Sequence, residues 1–160
     1  MFHTTTMDSP VGELRLIAGE NGLRAILWGA EDAERIASID DELVEGTTPV
    51  LDEAISQLEE YFAGTRREFD LPLDPAGTEF QQSAWMVLRT IPYGTTMTYG
   101  ALAGAIGLKP GAARAVGGAN ARNPISIVVP CHRVVGASGA LTGYAGGVEA
   151  KRRLLALEAA

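Results

Sequence analysis

The sequence contains a single cysteine among 160 residues. One thiol cannot form an intramolecular disulfide, and it cannot supply the cysteine cluster of a structural zinc site. There is no run of about 18 apolar residues, and no basic segment followed by an apolar run near Met1. These absences argue against an oxidised secreted scaffold, a transmembrane helix and a signal peptide. We therefore expect a reduced, cytoplasmic protein with no metal and no membrane partner.

The composition is that of an ordinary globular protein. Hydrophobic residues make up 46% of the chain and charged residues 21%. A chain of this length buries about 70% of the surface that it exposes when unfolded, so it needs no metal or disulfide in order to fold. The length favours one domain, or two small domains that share a core.

Acidic and basic side chains are unevenly distributed. Residues 1–79 contain five basic and eighteen acidic side chains, whereas residues 80–148 contain no Asp or Glu. A phosphate near the second segment would meet no local carboxylate repulsion, as expected for a face that binds nucleic acid. A core segment rich in Gly and Ala would also have few charges, so the charge pattern alone leaves both interpretations open. The basic residues of this segment are Arg89, Lys109, Arg114, Arg122 and Arg133.

The first half of the chain has the pattern of a small antiparallel sheet followed by a helix. Turn-forming residues at 8–10 and 19–22 separate three apolar runs, which we interpret as strands. Pro49 and Gly64 bracket a helix over 50–63. The predicted elements are strands over 4–7, 13–18 and 23–28, a peripheral helix or loop over 31–45, the helix over 50–63 with a face formed by Leu51, Ile55, Leu58 and Phe62, and an edge strand over 66–73.

A linker containing two prolines at 71–75 marks the predicted boundary between two subdomains. Residues 1–74 would form an N-terminal α/β subdomain, and residues 75–160 a mostly helical C-terminal subdomain. The predicted fold class is therefore α/β overall.

The C-terminal subdomain begins with a strong helix signal. Thr78 followed three residues later by Gln81 is a capping box, and the helix that it opens should end before Pro92. Two short helices separated by a turn at Gly107 then form a helix-turn-helix pattern. The predicted elements are a first helix with Phe80, Ala84, Leu88 and Ile91 buried, helices over 99–106, capped by Thr98, and over 110–120, a buried strand over 125–129, a Gly-rich loop over 136–147 and a closing helix over 148–159 with Val148, Leu154 and Leu155 facing inward.

Small residues dominate the second helix of this pattern, over 110–120. They give it a slim surface that could approach another backbone closely. Tight packing against a neighbouring helix would use the same residues, so the pattern alone does not choose between DNA contact and internal packing.

The thiol lies between an apolar run and a glycine-rich loop, in the segment 127–135. A lone cysteine is usually a buried apolar side chain. Here, however, His132 and Arg133 follow Cys131 directly. An imidazole or a guanidinium beside a thiol increases the fraction of reactive thiolate. The neighbours therefore favour Cys131 as a nucleophile.

Cooperation between Cys131 and His132 requires a turn. Adjacent residues on a straight strand point to opposite faces, and Pro130 makes a departure from the strand plausible. His132 also needs an acceptor that orients its ring. The closing helix offers Glu149 and Glu158, and the residues alone do not choose between them.

The sequence Pro-Cys-His-Arg-Val at 130–134 resembles the signature of the O6-alkylguanine-DNA alkyltransferases, also called methylated-DNA-protein-cysteine methyltransferases. The resemblance extends over residues 78–158 and is weaker before them. It implies a ribonuclease-H-like N-terminal subdomain, a winged-helix-like C-terminal subdomain and DNA repair by direct reversal. Further motifs in the family's order are Ala-Arg-Ala-Val-Gly-Gly-Ala at 113–119, Asn-Pro at 123–124, Tyr-Ala-Gly-Gly at 144–147, and Gly139, Lys151, Leu154, Leu155 and Glu158.

The resemblance also implies a catalytic set. Cys131 would take the alkyl group from O6 of guanine in a single, irreversible turnover. His132 would deprotonate the thiol through a water molecule, and Glu158 would hold His132. Tyr99 would donate a hydrogen bond to guanine N3, so that guanine leaves as a neutral base. Backbone groups of four further residues would line the guanine pocket: Val134, Tyr144, Ala145 and Gly146.

The implied partner is double-stranded DNA that contains alkylated bases, bound by a monomer that needs no cofactor. Guanine O6 faces the inside of the duplex, so the nucleotide must be extruded before a cysteine can reach it. Arg114 would fill the vacated space, since a guanidinium stacks on bases better than an ammonium does. The same helix would contact DNA through Ala115 and Gly118, and Asn123 would have a structural role near the site. Repair of O4-methylthymine and cooperative binding along DNA stay open.

Two features depart from the family pattern. Some members bind zinc through N-terminal cysteines and histidines, whereas His3 is the only such residue here. Ala145 stands where some members have serine, which leaves the range of adducts open. No GxGxxG or Walker sequence suggests a cofactor.

Two other functions compete with repair by transfer. A damage sensor would bind alkylated DNA without transfer, but the presence of Cys131 argues against it. A thiol hydrolase would act repeatedly on small substrates, none of which the sequence identifies.

Overall fold

The N-terminal part of the chain folds into a four-stranded sheet. A computed structural model describes residues 1–29 and 43–160. Three strands form an antiparallel meander, as the turn residues predict, and a short fourth strand pairs in parallel with the first. The strands are β1 (Phe2–Met7), β2 (Leu14–Gly19), β3 (Gly22–Trp28) and β4 (Leu43–Glu45), in the order β3-β2-β1-β4.

A long helix, α1 (Pro49–Phe62), packs against this sheet. The Thr48 hydroxyl accepts a hydrogen bond from the Leu51 backbone N–H and caps the helix. Gly64 follows its end with a φ of 80°, a conformation that glycine adopts at little cost. The predicted helix is confirmed. Its fully buried residues include Leu51, Ala54, Leu58 and Tyr61, while Ile55 and Phe62 are only partly buried.

The C-terminal part is mainly helical. The capping box is present, because Thr78 Oγ1 accepts from the Gln81 backbone and Gln81 Oε1 accepts from the Thr78 backbone. Thr98 caps the next helix, which ends before Gly107, and a 3₁₀ turn over Pro110–Ala112 precedes the following one. The helices are α2 (Glu79–Leu88), α3 (Tyr99–Ala105), α4 (Ala113–Ala121) and α5 (Val148–Ala159).

The two parts share one core. The Ile26 backbone N–H donates to the Pro124 carbonyl at 2.9 Å, and Ile26 also forms an isolated bridge with Ile125. The chain that follows α4 is thereby attached to β3. This contact places the segment that leads to the cysteine against the N-terminal sheet.

The predicted strand over 125–129 is wrong. These residues are buried, as their apolar character predicts, but they form successive tight turns. The Val129 N–H donates to the Ile125 carbonyl at 3.0 Å, and Ile127 has a φ of 73°. A short apolar run has no periodicity that separates a strand from another buried segment.

The predicted edge strand over 66–73 is also wrong. Only Leu73 pairs with the sheet, through an isolated bridge to Leu23. The Gln57 side chain accepts from the Asp70 N–H at 2.9 Å and donates to the Asp70 carbonyl at 3.0 Å. A side chain of α1 thus occupies backbone groups that strand pairing would have used.

Three smaller predictions need correction. Residues 43–45 form a strand rather than part of a helix or loop, and the rest of the predicted element, 31–42, lies outside the described residues. Phe80 is 39% exposed, and Trp85 occupies the buried face of α2 instead, donating its indole N–H to the Ala119 carbonyl. Val148 is also exposed, while Leu154 is buried as predicted.

A two-stranded parallel sheet connects α3 to the cysteine segment. It consists of β5 (Met97–Thr98) and β6 (Val134–Val135). The predicted α/β class, with a sheet first and a helical part second, is confirmed. Within the described ranges, no helix is long and apolar enough to cross a membrane.

Candidate active site

The single cysteine begins a 3₁₀ turn, Cys131–Arg133, as the proline before it predicts. Pro130 has φ −80° and ψ 63°, which turns the chain away from an extended path. Because residues of a 3₁₀ helix follow one another by a third of a turn, Cys131 and His132 no longer point to opposite faces. Cys131 is 5% exposed and His132 is fully buried.

Two buried asparagines secure this turn. Asn123 donates to the Val129 carbonyl at 2.8 Å and accepts from the Ile125 N–H at 3.1 Å. Asn120, on α4, donates to the Cys131 carbonyl at 3.5 Å. Asn123 therefore joins the end of the helix-turn-helix to the chain that carries the thiol.

Glu158 on α5 is the acceptor that orients His132. His132 Nε2 lies 2.7 Å from Glu158 Oε2. Because an ionised carboxylate can only accept, Nε2 carries the proton and Nδ1 is the basic nitrogen of the neutral ring. His132 Nδ1 is buried and makes no hydrogen bond within the described residues. The other sequence candidate, Glu149, is exposed and pairs with Arg152.

The Arg133 guanidinium makes a contact that the sequence did not indicate. Its Nε and Nη2 donate to the two Glu158 carboxylate oxygens at 2.8 and 3.0 Å, and its Nη1 donates to the Ile91 carbonyl. A bidentate guanidinium holds a carboxylate in a fixed orientation. Arg133 thus binds the residue that orients His132.

The environment shifts the pKa values of both members of the pair. Burial alone would raise the pKa of Glu158, but hydrogen bonds from His132 and Arg133 outweigh it and hold the pKa far below its usual value. Burial lowers the pKa of His132, although the Glu158 carboxylate opposes that shift. The pair is therefore a carboxylate with a neutral imidazole, and such an imidazole can accept a proton.

Sequence reasoning assigned no role to Lys151 or Tyr61. Lys151, on α5, is fully buried and donates to the Val134 carbonyl at 2.6 Å. Burial lowers its pKa, while the Cys131 sulfur favours its charged form. Tyr61, on α1, is also fully buried and donates to Glu158 Oε2 at 2.6 Å. Their helical spacing from buried neighbours could have placed both on inner faces, although not next to the site.

Residues predicted to line the substrate pocket come from three segments. Val134 follows the cysteine turn and pairs with Met97, one position before the cap of α3. Tyr99 begins α3, and its hydroxyl lies 2.9 Å from Thr142 Oγ1. Tyr99 is thus linked to the same Gly-rich loop that contains Tyr144.

The N-terminal sheet supports this loop. Trp28 at the end of β3 meets the ring of Tyr144 edge-on and also lies against Gly146. Ala145, which lies between Tyr144 and Gly146 in the sequence, is exposed. The sequence did not indicate that the N-terminal part contacts the predicted pocket.

The predicted DNA contacts lie together on one face of α4. Arg114, Ala115 and Gly118 are exposed, whereas Val116 and Ala119 face the core. No atom lies within 4 Å of a Cβ built on Gly118. The helix therefore presents a slim surface with one cation near its N-terminus, in the segment that contains no acidic residue.

No three potential metal ligands of the His, Cys, Asp or Glu type lie together in residues 1–29 and 43–160. The arrangement of Cys131, His132 and Glu158 supports thiol chemistry assisted by an imidazole and a carboxylate.

Comparison with known proteins agrees with this geometry. Residues 2–75 match the family model of the 6-O-methylguanine DNA methyltransferase ribonuclease-like domain, and residues 79–160 match that of its DNA binding domain. The methylated-DNA-protein-cysteine methyltransferase of Mycobacterium leprae is 49% identical over 99% of this chain and 93% of its own. That of Methanosarcina acetivorans is 50% identical over 94% of each.

A solved structure is also closely similar. The crystal structure of Mycobacterium tuberculosis OGT in complex with DNA has a TM-score of 0.87 and 49% identity, over 98% of this chain and 92% of the other. From the cysteine turn, the family models and these relatives together, the chain belongs to the methylated-DNA-protein-cysteine methyltransferase family.

Proposed function

We propose that this chain repairs DNA by transferring the alkyl group of O6-methylguanine to Cys131. Family membership supports repair of DNA by alkyl transfer. The observation that carries the assignment to Cys131 is that the chain's single thiol stands in one turn with His132, whose ring Glu158 orients at 2.7 Å.

The reaction is a displacement at the alkyl carbon. The Cys131 thiol proton passes through a water molecule to His132 Nδ1, and the sulfur attacks the carbon. The carbon–O6 bond breaks as the carbon–sulfur bond forms, and its electron pair goes to the leaving guanine. Tyr99 donates a hydrogen bond to guanine N3. The proton held by His132 then returns through water to the departing guanine, which leaves as a neutral base, so that no net proton is gained or lost.

The product explains why each molecule would act once. A thioether at Cys131 offers no reverse reaction that the described residues could catalyse, so one molecule would repair one lesion. Because all the proposed residues lie in one chain, a monomer would suffice.

Access to O6 requires base flipping. Cys131 is 5% exposed, and guanine O6 is not accessible to a buried thiol while the base is stacked. We propose that Arg114 on the exposed face of α4 occupies the space of the extruded nucleotide. Extrusion costs a few kcal/mol, which contacts of the slim helix with the DNA would offset.

The test uses a duplex that contains one O6-methylguanine. After incubation, mass spectrometry of the Cys131 peptide should show one added methyl group, with no more than one transfer per protein molecule. Cys131→Ser should bind the duplex and transfer nothing. A parallel duplex with O4-methylthymine tests the second substrate.

Other outcomes would identify the competing functions. Binding by the wild-type protein without added mass would indicate a damage sensor, and repeated turnover of an ester without DNA would indicate a hydrolase. Methyl transfer by Cys131→Ser would refute the assignment of the nucleophile.

A further inference from the structure

A phenol from the N-terminal part of the chain contacts the carboxylate of the proposed active site. Tyr61 lies on α1, 97 positions before Glu158, and its hydroxyl donates to Glu158 Oε2 at 2.6 Å. Both side chains are almost fully inaccessible to solvent. The sheet-bearing part therefore contributes a polar group to the His132–Glu158 pair.

Tyr61 is a permanent donor in this bond. Burial, together with the Glu158 carboxylate, raises the pKa of Tyr61 well above its ordinary value. The phenol is therefore held in its protonated form, as the donor in this bond. A short O–H···O⁻ bond of this kind is charge-assisted and stronger than a neutral one.

Three donors share one carboxylate oxygen. Glu158 Oε2 accepts from Tyr61 at 2.6 Å, from His132 at 2.7 Å and from Arg133 at 3.0 Å. The other oxygen accepts from Arg133 and from the Gly94 N–H. Every additional donor draws charge density from the carboxylate, so less remains to stabilise a positive charge on the imidazole.

We propose that Tyr61 is a positioning residue for alkyl transfer, which fixes Oε2 opposite His132 and keeps the imidazole neutral and able to accept the thiol proton. This inference rests on the proposed function. It also gives the N-terminal part a role in the reaction.

Other charged groups around His132 and Glu158 also affect the protonation of the His132 imidazole. Burial lowers the pKa of His132, Glu158 raises it, and the cations of Arg133, in the cysteine turn, and Lys151, on α5, lower it further. Tyr61 acts in the same direction as these cations, by weakening the opposing carboxylate. Further groups near the network are the Cys131 thiol, beside Lys151, the Tyr93 phenol, beside Tyr61, and the Arg67 guanidinium, over the Tyr93 ring.

A purely structural role is the alternative. The Tyr61 ring packs against Phe62, Phe69 and Tyr93, with centroids 5.3 to 6.2 Å apart. If Tyr61 only filled the core, loss of its hydroxyl would alter stability, or would scale the rate equally at every pH. If it tunes His132, the pH dependence of the rate must move.

The experiment measures single-turnover benzyl transfer from free O6-benzylguanine to Cys131 as a function of pH. The free base avoids the pH dependence of DNA binding. In Tyr61→Phe, the acid limb of the rate profile should move to higher pH by about half a unit or more, because the carboxylate then stabilises the imidazolium more strongly. Tyr93→Phe is the matched control, since Tyr93 lies beside Tyr61 and its hydroxyl faces the Leu157 carbonyl instead of Glu158.

A second variant should shift the acid limb of the rate profile in the opposite direction. 3-Fluorotyrosine placed at position 61 has a more acidic phenol and donates a stronger hydrogen bond, so its acid limb should move to lower pH. This variant keeps the ring and the hydroxyl, and it decides the question if Tyr61→Phe does not fold.

Three results would overturn the proposal. They are a Tyr61→Phe profile parallel to that of the wild type, an equal shift in Tyr93→Phe, or a shift of the same sign in both variants at position 61. Absence of methyl transfer from the O6-methylguanine duplex to the wild-type protein would refute the proposed function instead, so the two failures are distinguishable.

Discussion

The indole of Trp28 lies directly against the backbone of Gly146. A Cβ added at Gly146 would lie 2.3 Å from Trp28 Cε2, which is too close for two carbon atoms unless the loop or the indole moves. Trp28 also meets Tyr144 edge-on, with ring centroids 5.6 Å apart. Trp28, at the end of β3, therefore fixes the position of the loop that we propose to line the guanine pocket.

Gly146→Ala should slow alkyl transfer by about tenfold or more, because displacement of a binding loop by an ångström can cost about a hundredfold in rate. Gly143→Ala is the control, since nothing lies within 4 Å of its added Cβ. Single-turnover transfer from an O6-methylguanine duplex measures both. Equal rates in the two variants would show that the contact with Trp28 does not position the pocket.

Lys151 supplies a second prediction. Its ammonium is buried with the Cys131 sulfur nearby and donates to the Val134 carbonyl. Lys151→Met keeps the length of the side chain but removes a charge that stabilises a thiolate. The variant should transfer alkyl groups more slowly at neutral pH.

The thiolate can be observed directly in this protein, because Cys131 is the only cysteine. The ultraviolet absorbance of the thiolate should rise at higher pH in Lys151→Met than in the wild-type protein. Lys109→Met, which removes the chain's other lysine from an exposed position, should leave the titration unchanged. Superimposable titrations of all three proteins would contradict the electrostatic role.

Helix caps and turns that depend on neighbouring residues could be predicted from the sequence. The capping box of Thr78 and Gln81, the cap at Thr98 and the turn at Pro130 each depend on residues within a few positions, and each is present. The neighbours of the single thiol, and then the resemblance to a family, predicted Cys131 and His132 as site residues. The strand predicted over 125–129 failed because burial, rather than periodicity, was its only signal.

Contacts between distant residues could not be predicted in this way. The hydrogen bond from Tyr61 to Glu158 and the packing of Trp28 on Gly146 join positions about a hundred residues apart. Each residue alone resembles an ordinary core aromatic. The contact between the Arg133 guanidinium and the buried Glu158 carboxylate likewise joins residues that are distant in sequence.

Acid should reduce the contribution of Glu158 to stability. Its pKa in the folded protein is far below the value of about 4.3 for an unfolded glutamate. The stabilisation is therefore fully present above about pH 4.3 and is lost as the pH falls, because the unfolded state then takes up a proton that the folded state does not.

Glu158→Gln should lower the free energy of unfolding by about 3 to 5 kcal/mol at neutral pH, as expected when a buried ion pair loses one partner. Below about pH 4.3 the difference in free energy of unfolding between this variant and the wild type should become smaller. Glu149→Gln, an exposed carboxylate on the same helix, should change stability by less than about 1 kcal/mol. Urea unfolding at several pH values measures these differences, and a gap independent of pH would contradict the linkage.

Arg114 separates DNA-dependent from DNA-independent chemistry. If its guanidinium occupies the space of the extruded nucleotide, Arg114→Ala should lose about tenfold or more in transfer from duplex DNA, since extrusion costs a few kcal/mol. Transfer from free O6-benzylguanine should change little, because no base has to leave a stack. Arg122→Ala, which removes the same charge from the exposed C-terminal end of α4, should affect duplex transfer much less.

Both variants should reduce the salt dependence of binding if both cations contact phosphates. Equal losses with the free base and the duplex would mean that Arg114 supports the fold, and equal losses in the two variants would mean that it contributes only charge.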